Sequence, residues 1–183
     1  MKGCRVINET EIKDIMNSLN MRDRVLILTG LTFGTRISES LSLTFGNVEG
    51  SYLHINSKKG SENISFPVPS SYKSAIEDLK TYYKSQGIEI KPDTYLFLSR
   101  KGDNMPITRI QASRIVKETC ISLGIDGKVN THSFRKTFVT KIYNLTGHDI
   151  AQTKVYSRHK SLSNLDYYIN TTQETNLINE LAW

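Results

Sequence analysis

Hydrophobic residues recur at helical spacing along most of this 183-residue chain. After Asn8, the positions Ile12, Ile15, Met16 and Leu19 fall on one face of a helix because they are three or four residues apart. Asn8 is itself a favourable residue at a helix N-cap. The same spacing predicts further helices over residues 23–33, 37–43, 70–86, 107–123, 133–145, 149–156, 161–169 and 172–181.

Two short segments depart from this helical pattern. Residues 52–55 and 64–68 are rich in β-branched and aromatic side chains, and they flank a polar turn at residues 58–63. This arrangement is typical of a β-hairpin. A third short extended segment is predicted at residues 95–98. We therefore expect a mainly α fold (α+β) with a small antiparallel β-hairpin or sheet on one edge.

The chain has the length of one domain. With 183 residues and no internal repeat, low-complexity tract or linker, a single domain over residues 1–183 with a substantial core is expected. Residues 170–183 form a C-terminal tail whose apolar side chains need a surface to cover them. These are Leu177, Ile178, Leu181 and Trp183.

Composition narrows the class of partner. The 24 Lys and Arg residues exceed the 18 Asp and Glu residues, which gives a net charge of +6. A basic balance favours nucleic acid as a partner, although a soluble basic protein without one has the same composition. Cys4 and Cys120 form neither a disulfide framework nor a Cys-x-x-Cys metal motif. There is no apolar run of a signal peptide or of the ~20 residues in a membrane span, so we expect a soluble, cytoplasmic protein.

Candidate chemistry is concentrated late in the chain. His132 and Arg135 are three residues apart and share a face at the start of a predicted helix, with Thr131 as the predicted N-cap. A helix N-terminus also favours a nearby anion. His159 could donate a hydrogen bond to a phosphate oxygen. Tyr168 is a possible nucleophile if neighbouring cations help it lose its proton.

Two upstream segments add cations. Glu39 follows Arg36 by three residues and could orient its guanidinium toward phosphate oxygens. Lys58 and Lys59 lie in the predicted turn, where an ammonium could protonate a leaving alkoxide. Taken singly, each of these features also fits a structural interpretation, namely a salt-bridged arginine, a solvated turn, a capped helix or a core tyrosine.

In this order and spacing, the segments together resemble the tyrosine recombinases, also called phage integrases. Residues 29–43, which include Gly34-Thr35-Arg36-Ile37-Ser38-Glu39, are similar to the first arginine motif of that family. Ser57-Lys58-Lys59-Gly60 resembles the family's lysine turn, and His132-Ser133-Phe134-Arg135 resembles its His-x-x-Arg motif. His159, nine residues before Tyr168, resembles its last histidine and its nucleophile. The resemblance covers nearly the whole chain.

The resemblance implies a reaction and a role for each side chain. Tyr168 would attack a DNA phosphate to form a 3′-phosphotyrosyl link and release a 5′-hydroxyl, with Tyr167 as the alternative nucleophile. Arg36 and Arg135 would neutralise the phosphate, and Lys58 would protonate the leaving oxygen. The remaining roles implied are acid/base catalysis by His132, support of the phosphate by His159 and orientation of an arginine by Glu39. No metal or other cofactor is implied.

The resemblance also implies the partners. These are double-stranded DNA recombination sites, bound by a homotetramer that exchanges strands through a Holliday junction and is weakly associated or monomeric without DNA. The family implies a bacterial or phage-encoded protein that serves a mobile genetic element. A type IB topoisomerase-like enzyme acting on one duplex and a non-catalytic DNA-binding regulator are the alternatives. The cations predicted to contact DNA are Lys59, Arg109, Arg114, Lys117, Lys136, Arg158 and Lys160.

The chain departs from the family pattern in several places. Thr35 stands where the family more often has leucine, and Ser157-Arg158-His159 stands where it usually has Leu-Gly-His. We expect the extra cation, Arg158, to face DNA or a neighbouring protomer. The N-terminal core-binding domain that usually precedes the catalytic domain is expected to be absent, so the chain is either a catalytic fragment or a minimal recombinase. The tail at residues 170–183 would either dock on a neighbouring protomer or fold back on its own domain.

Overall fold

The computed structural model describes residues 3–55, 64–159 and 165. Within these residues the chain is mostly helical, with one two-stranded antiparallel sheet and a 3-10 turn at Phe45–Asn47. In chain order the elements are α1 (Glu9–Ser18), α2 (Met21–Phe33), α3 (Ile37–Ser40), β1 (Tyr52–Ile55), β2 (Ile64–Pro67), α4 (Ser70–Ser85), α5 (Arg109–Ser122), α6 (Thr131–Leu145) and α7 (Ile150–Ser157). This confirms the predicted fold class.

Local sequence explains where the first helices begin and end. The Asn8 side chain accepts the Glu11 backbone N–H, and the Glu11 side chain accepts the Asn8 N–H, so α1 starts in a capping box. α2 ends at Gly34, which adopts the left-handed conformation at φ 57°. A Cβ at Gly34 would lie 2.3 Å from a ring carbon of Phe138. Glycine is therefore required both by the backbone and by the close approach of α6.

The hairpin forms one edge of the main core. β1 pairs with β2 so that Tyr52 lies opposite Pro67 and Leu53 opposite Phe66. Leu53 and Ile55 are buried while the alternate residues of β1 are exposed, as expected for a sheet with one face on the core. The turn that joins the two strands, residues 56–63, lies outside the described residues.

Helix α2 is the central element of the core. It packs against α4 on one side and α6 on the other. The main apolar cluster includes Phe33, whose ring meets Tyr72 edge-on at a centroid distance of 4.8 Å. In a smaller cluster, Leu165 packs against Phe138 and Val139 of α6. The C-terminal ends of α2 and α7 lie close to the first turns of α6, and the polar site is found there.

Several predicted boundaries are corrected. The third helix ends at Ser40 because the following segment turns to pair with residues 95–96, where the Leu96 N–H donates to the Leu43 carbonyl at 2.9 Å. α5 begins at Arg109 because Thr108 caps it in extended conformation, and the Thr108 hydroxyl accepts the Gln111 N–H at 3.2 Å. The helices predicted over residues 161–169 and 172–181 lie outside the described residues. No helix in the described part of the chain is long and apolar enough to cross a membrane.

Candidate active site

Arg135 is the buried centre of the site. It lies one turn into α6, and only 1% of the residue is exposed. Its Nη1 donates to the Gly34 carbonyl at the end of α2, and its Nη2 donates to the Ser157 carbonyl at the end of α7, at 2.5 Å. Both acceptors lie at helix C-termini, where a cation is favoured by the helix dipole. One guanidinium therefore joins three helices at one point.

The start of α6 presents His132 next to Arg135. The predicted N-cap, Thr131, is wrong, because Asn130 caps the helix and its side chain accepts the His132 N–H at 2.8 Å. The reason is that Asn130 is in extended conformation while Thr131 already has helical geometry. His132 is half-buried. As predicted, it shares the first turns of one helix with Arg135.

Arg36 and Glu39 lie at the start of the short helix α3. The Glu39 carboxylate accepts the Arg36 backbone N–H at 2.7 Å and the Arg36 Nη1 at 2.8 Å. The Glu39 side chain is 2% exposed whereas the Arg36 side chain is 32% exposed. This geometry confirms the predicted pairing, in which a buried carboxylate holds a guanidinium whose other edge reaches solvent.

Arg158 occupies a different place from the one predicted. The sequence places it on the surface, facing DNA or another protomer, but its side chain is 2% exposed and pairs with Glu39 Oε2 at 2.9 Å. Its Nη2 also approaches the Gly34 carbonyl at 3.4 Å. The cause is backbone geometry, because Arg158 ends α7 in the left-handed conformation at φ 57° and its side chain turns inward. Glu39 is therefore bracketed by two arginines.

His159 follows directly and is also buried. Its Nδ1 lies 2.8 Å from the Ser157 hydroxyl, which fixes the ring orientation. Burial, followed by the positive charges of Arg135 and Arg36, lowers the pKa of His159 to about 3. Burial and the same two arginines lower the pKa of His132 to about 4. Both imidazoles are therefore neutral at pH 7, and the charges of Arg135 and Arg36 lower the pKa of each.

The electrostatics of the site favour an anion. Arg36, Arg135 and Arg158 supply three positive charges, and Glu39 is the carboxylate paired with Arg36 and Arg158. Burial raises the pKa of Glu39, but the charge of Arg158 and the hydrogen bonds from Arg36 outweigh it, so the pKa is lowered overall. With Glu39 ionised, about two positive charges remain to be balanced. No group of three His, Cys, Asp or Glu side chains in the described part of the chain is placed to hold a metal ion.

Four predicted residues lie outside the described ranges, as does the alternative nucleophile Tyr167. Leu165, three residues before Tyr168, is described. Leu165 is fully buried against Phe138 and Val139 of α6, one turn beyond Arg135. The chain therefore returns to α6 three residues before Tyr168. The four residues are Lys58, Lys59, Lys160 and Tyr168.

The remaining predicted DNA contacts divide into two groups. Arg109, Arg114 and Lys117 are exposed on α5 and remain predictions. Lys136 is half-buried, and its ammonium donates to the Cys4 carbonyl at 3.3 Å, so it binds the N-terminal segment of its own chain. Sequence reasoning did not find the acceptors Gly34 and Ser157. They act through backbone carbonyls, which every residue type carries.

Known proteins are similar to this chain in both sequence and fold. Residues 5–175 match the phage integrase family. The chain is 31% identical to the probable integrase/recombinase YoeC of Bacillus subtilis over 166 residues, which is 90% of this chain and 86% of that protein. It is 26% identical to the tyrosine recombinase XerC of Pelotomaculum thermopropionicum, covering 93% of this chain and 58% of that protein.

Solved structures of recombinases have the same fold as this chain. The XerA recombinase superimposes with a TM-score of 0.77 at 20% identity, over 98% of this chain and 66% of that one. A post-cleavage complex of the XerH site-specific recombinase with a palindromic difH substrate superimposes with a TM-score of 0.73 at 19% identity, over 97% of this chain and 53% of that one. The chain thus spans about half to two thirds of these structures. With a family match from residue 5 to residue 175, this chain belongs to the phage integrase family, the tyrosine recombinases.

Proposed function

We propose that this chain is the catalytic domain, over residues 1–183, of a site-specific DNA recombinase that cleaves and rejoins DNA through a tyrosine. One observation carries the proposal. Arg36, His132, Arg135 and His159 come from three separate parts of the chain, and the contacts of Arg135 with the Gly34 and Ser157 carbonyls bring these parts together in one cationic site. A phosphodiester is the anion that this family cleaves, and the net charge of +6 suits DNA as the partner.

The two arginines stabilise the transition state. As Tyr168 attacks, negative charge builds on the non-bridging oxygens of the scissile phosphate, and fixed donors aimed at those oxygens lower the barrier. Arg36 has a partly exposed guanidinium held by Glu39, so it can present its fork to the phosphate without first being ordered. Arg135 is held by two carbonyls and contributes a fixed positive charge from the buried side of the site.

Proton transfer completes the chemistry. The bond from Tyr168 Oη to phosphorus forms while the bond from phosphorus to the 5′ oxygen breaks. Neutral His132 accepts the phenolic proton, and Lys58 gives a proton to the leaving 5′ oxygen. The Ser157 hydroxyl has two acceptors within reach, the Lys154 carbonyl at 3.3 Å and His159 Nδ1 at 2.8 Å. With its proton given to Nδ1, at the shorter distance, the neutral ring carries its own proton on Nε2 and donates it to a phosphate oxygen. Reversal by a 5′-hydroxyl from another strand rejoins the DNA without ATP.

Assembly on DNA follows from the need to pair two sites. We propose that four protomers hold two DNA duplexes and exchange strands through a Holliday junction, and that protomers associate weakly without DNA. The tail at residues 170–183 would dock on a neighbouring protomer. An exposed apolar surface on α6 and α7 supports this, since Leu145 is 73% exposed and Val155 66% exposed. Such a protein would act on bacterial or phage DNA in the cytoplasm.

Selection from a DNA library finds the target sequence and tests the activity in one experiment. Nicked suicide duplexes, randomised over a central segment of about 30 base pairs, are incubated with the protein, and SDS-stable protein–DNA complexes are isolated and sequenced. The proposal expects covalent complexes enriched for inverted half-sites, and two plasmids carrying the enriched site should recombine. Relaxation of one supercoiled plasmid without recombinants would instead indicate a topoisomerase-like enzyme. Binding without any covalent complex would indicate a regulator.

A further inference from the structure

We propose that Arg158 is a positioning residue for DNA cleavage. By pairing with Glu39, it fixes the carboxylate that orients Arg36 and ties the end of α7 to the start of α3. The inference rests on the proposed function, because its consequence is the rate of phosphodiester cleavage. It concerns a position at which this chain departs from the family pattern.

The contacts of Arg158 join distant parts of the chain. Its Nη2 donates to Glu39 Oε2 at 2.9 Å, across 119 residues of sequence. The same Oε2 accepts the Arg36 backbone N–H, which leaves Oε1 for Arg36 Nη1. The carboxylate is thus held at both oxygens. Arg158 adds a charged donor to Oε2, which also accepts the Arg36 backbone N–H, and so restricts the carboxylate and the Arg36 guanidinium that it binds.

Fold stability alone does not account for an arginine here. The left-handed backbone at φ 57° strains any residue with a Cβ, and glycine would adopt it freely. Among the described residues, Arg158 Nε and Nη1 are buried without a hydrogen-bond partner, which is a further cost. Burial also lowers the pKa of Arg158, against the opposing effect of Glu39. Backbone strain and the two unsatisfied nitrogens offset what the ion pair contributes to stability, and the group that the side chain holds is Glu39.

Position along the chain gives the pair a second consequence. Arg158 lies between Ser157, whose carbonyl holds Arg135, and His159, whose ring is held by the Ser157 hydroxyl. Further along the chain, Leu165 packs against α6, and Tyr168 follows three residues later. The Glu39–Arg158 ion pair therefore connects Arg36 to the C-terminal end of α7, after which the chain continues to Tyr168.

Four variants of the full chain separate positioning from folding. Arg158→Gly removes the ion pair and suits the backbone, Arg158→Lys keeps the charge, Glu39→Gln removes the carboxylate charge, and the fourth combines Arg158→Gly with Glu39→Gln. Cleavage is measured as the rate of covalent complex formation on a saturating suicide duplex from the selected library. DNA affinity and thermal unfolding are measured in parallel.

Positioning predicts a specific pattern. Arg158→Gly should slow cleavage about tenfold to a hundredfold, as for a misplaced catalytic group, while DNA affinity changes little. The unfolding temperature reports a separate balance, between relief of the left-handed backbone strain and the loss of one partner of the buried Glu39 carboxylate. Arg158→Lys should lose less than Arg158→Gly. The double variant should be no slower than the slower single variant, because both changes break the same pair. Cleavage by Arg158→Gly within about twofold of wild type, or fully multiplicative losses in the double variant, would overturn the inference.

A readout independent of cleavage keeps the two proposals apart. The Arg36 Nε–H resonance, assigned by its loss in Arg36→Lys, reports the order of that guanidinium by NMR relaxation. Arg158→Gly should make this group more mobile, and an unchanged order parameter would contradict the role of Arg158. If wild type forms no covalent complex, the proposed function fails, and the NMR comparison still decides the positioning claim.

Discussion

The Glu39 carboxylate and the Arg158 guanidinium form an ion pair of 2.9 Å in which both side chains are 2% exposed. Burying two charges costs much of what their attraction returns, so such a pair is weak evidence for stability. Its effect here is geometric, because the same carboxylate also binds Arg36 at 2.8 Å. Arg158, at a left-handed position that suits glycine, is thus connected through Glu39 to Arg36, the arginine proposed to bind the scissile phosphate.

The close approach of α2 and α6 at Gly34 predicts a large effect of one added methyl group. In Gly34→Ala the Cβ would meet the Phe138 ring at 2.3 Å in a left-handed backbone. We expect the free energy of unfolding to fall by about 3 kcal/mol, the sum of backbone strain and overpacking. Urea denaturation measures this difference.

Gly124→Ala is the matched control for the backbone effect. Gly124 has a similar φ of 63°, but an added Cβ would meet no atom within 4 Å. Its cost should be the backbone strain alone, about 1 kcal/mol. Equal losses in the two variants would show that contact with Phe138 does not limit position 34.

The histidine pKa values predict acid sensitivity of the fold. The pKa of His132 is lowered to about 4 and that of His159 to about 3, against about 6.5 in an unfolded chain. Between pH 6.5 and 4 the unfolded state therefore binds more protons than the folded state, and stability falls as pH falls. Replacing both histidines with glutamine should flatten this part of the profile of unfolding free energy against pH.

One outcome would contradict the burial and charge described for His132 and His159. It is a slope between pH 6.5 and 4 that stays as steep as in wild type after both of these histidines are replaced.

Arg36 should affect chemistry far more than folding. Its side chain is partly exposed, and Glu39 keeps its bond to Arg158 when Arg36 is removed. We expect Arg36→Ala to slow covalent complex formation about a hundredfold to a thousandfold, the usual loss for one transition-state donor. Arg100→Ala, at an exposed loop position, is the control and should cleave like wild type. Equal rates for the two variants would remove Arg36 from the mechanism.

Lys58 is predicted to act as the general acid, and a change of leaving group tests that role. A 5′-bridging sulfur leaves as a thiolate, which needs little protonation because a thiol has a pKa of about 8.5. Lys58→Ala should cleave poorly on an ordinary phosphodiester and recover on the sulfur substrate. Lys59→Ala serves as the neighbouring control. Recovery in Lys59→Ala alone would reassign the acid.

Local chemistry explains why much of the site could be predicted from sequence. The pairs His132–Arg135 and Arg36–Glu39 are each three residues apart, so helical geometry alone brings their members together. Some helix ends also followed from caps and glycines, such as Asn8 before α1 and Gly34 after α2. Asn130 and Thr131 are both acceptable caps, and only the backbone distinguishes them.

The inward position of Arg158 could not be predicted in the same way. It depends on a left-handed backbone at a residue other than glycine, and on a carboxylate 119 residues earlier in the chain. The same holds for Arg135, which is held by the backbone carbonyls of Gly34 and Ser157. Long-range contacts to carbonyls carry no residue-type pattern, so a basic residue in such a place is easily assigned to the DNA surface.

The central claim is that Tyr168 is the nucleophile of this cationic site. The direct measurement is the SDS-stable complex formed on a suicide duplex by wild type, Tyr168→Phe and Tyr167→Phe, with the linked peptide identified by mass spectrometry. We expect wild type and Tyr167→Phe to form the complex, Tyr168→Phe to form none, and the DNA to be attached to Tyr168. A covalent complex that persists in Tyr168→Phe and disappears in Tyr167→Phe would contradict the account.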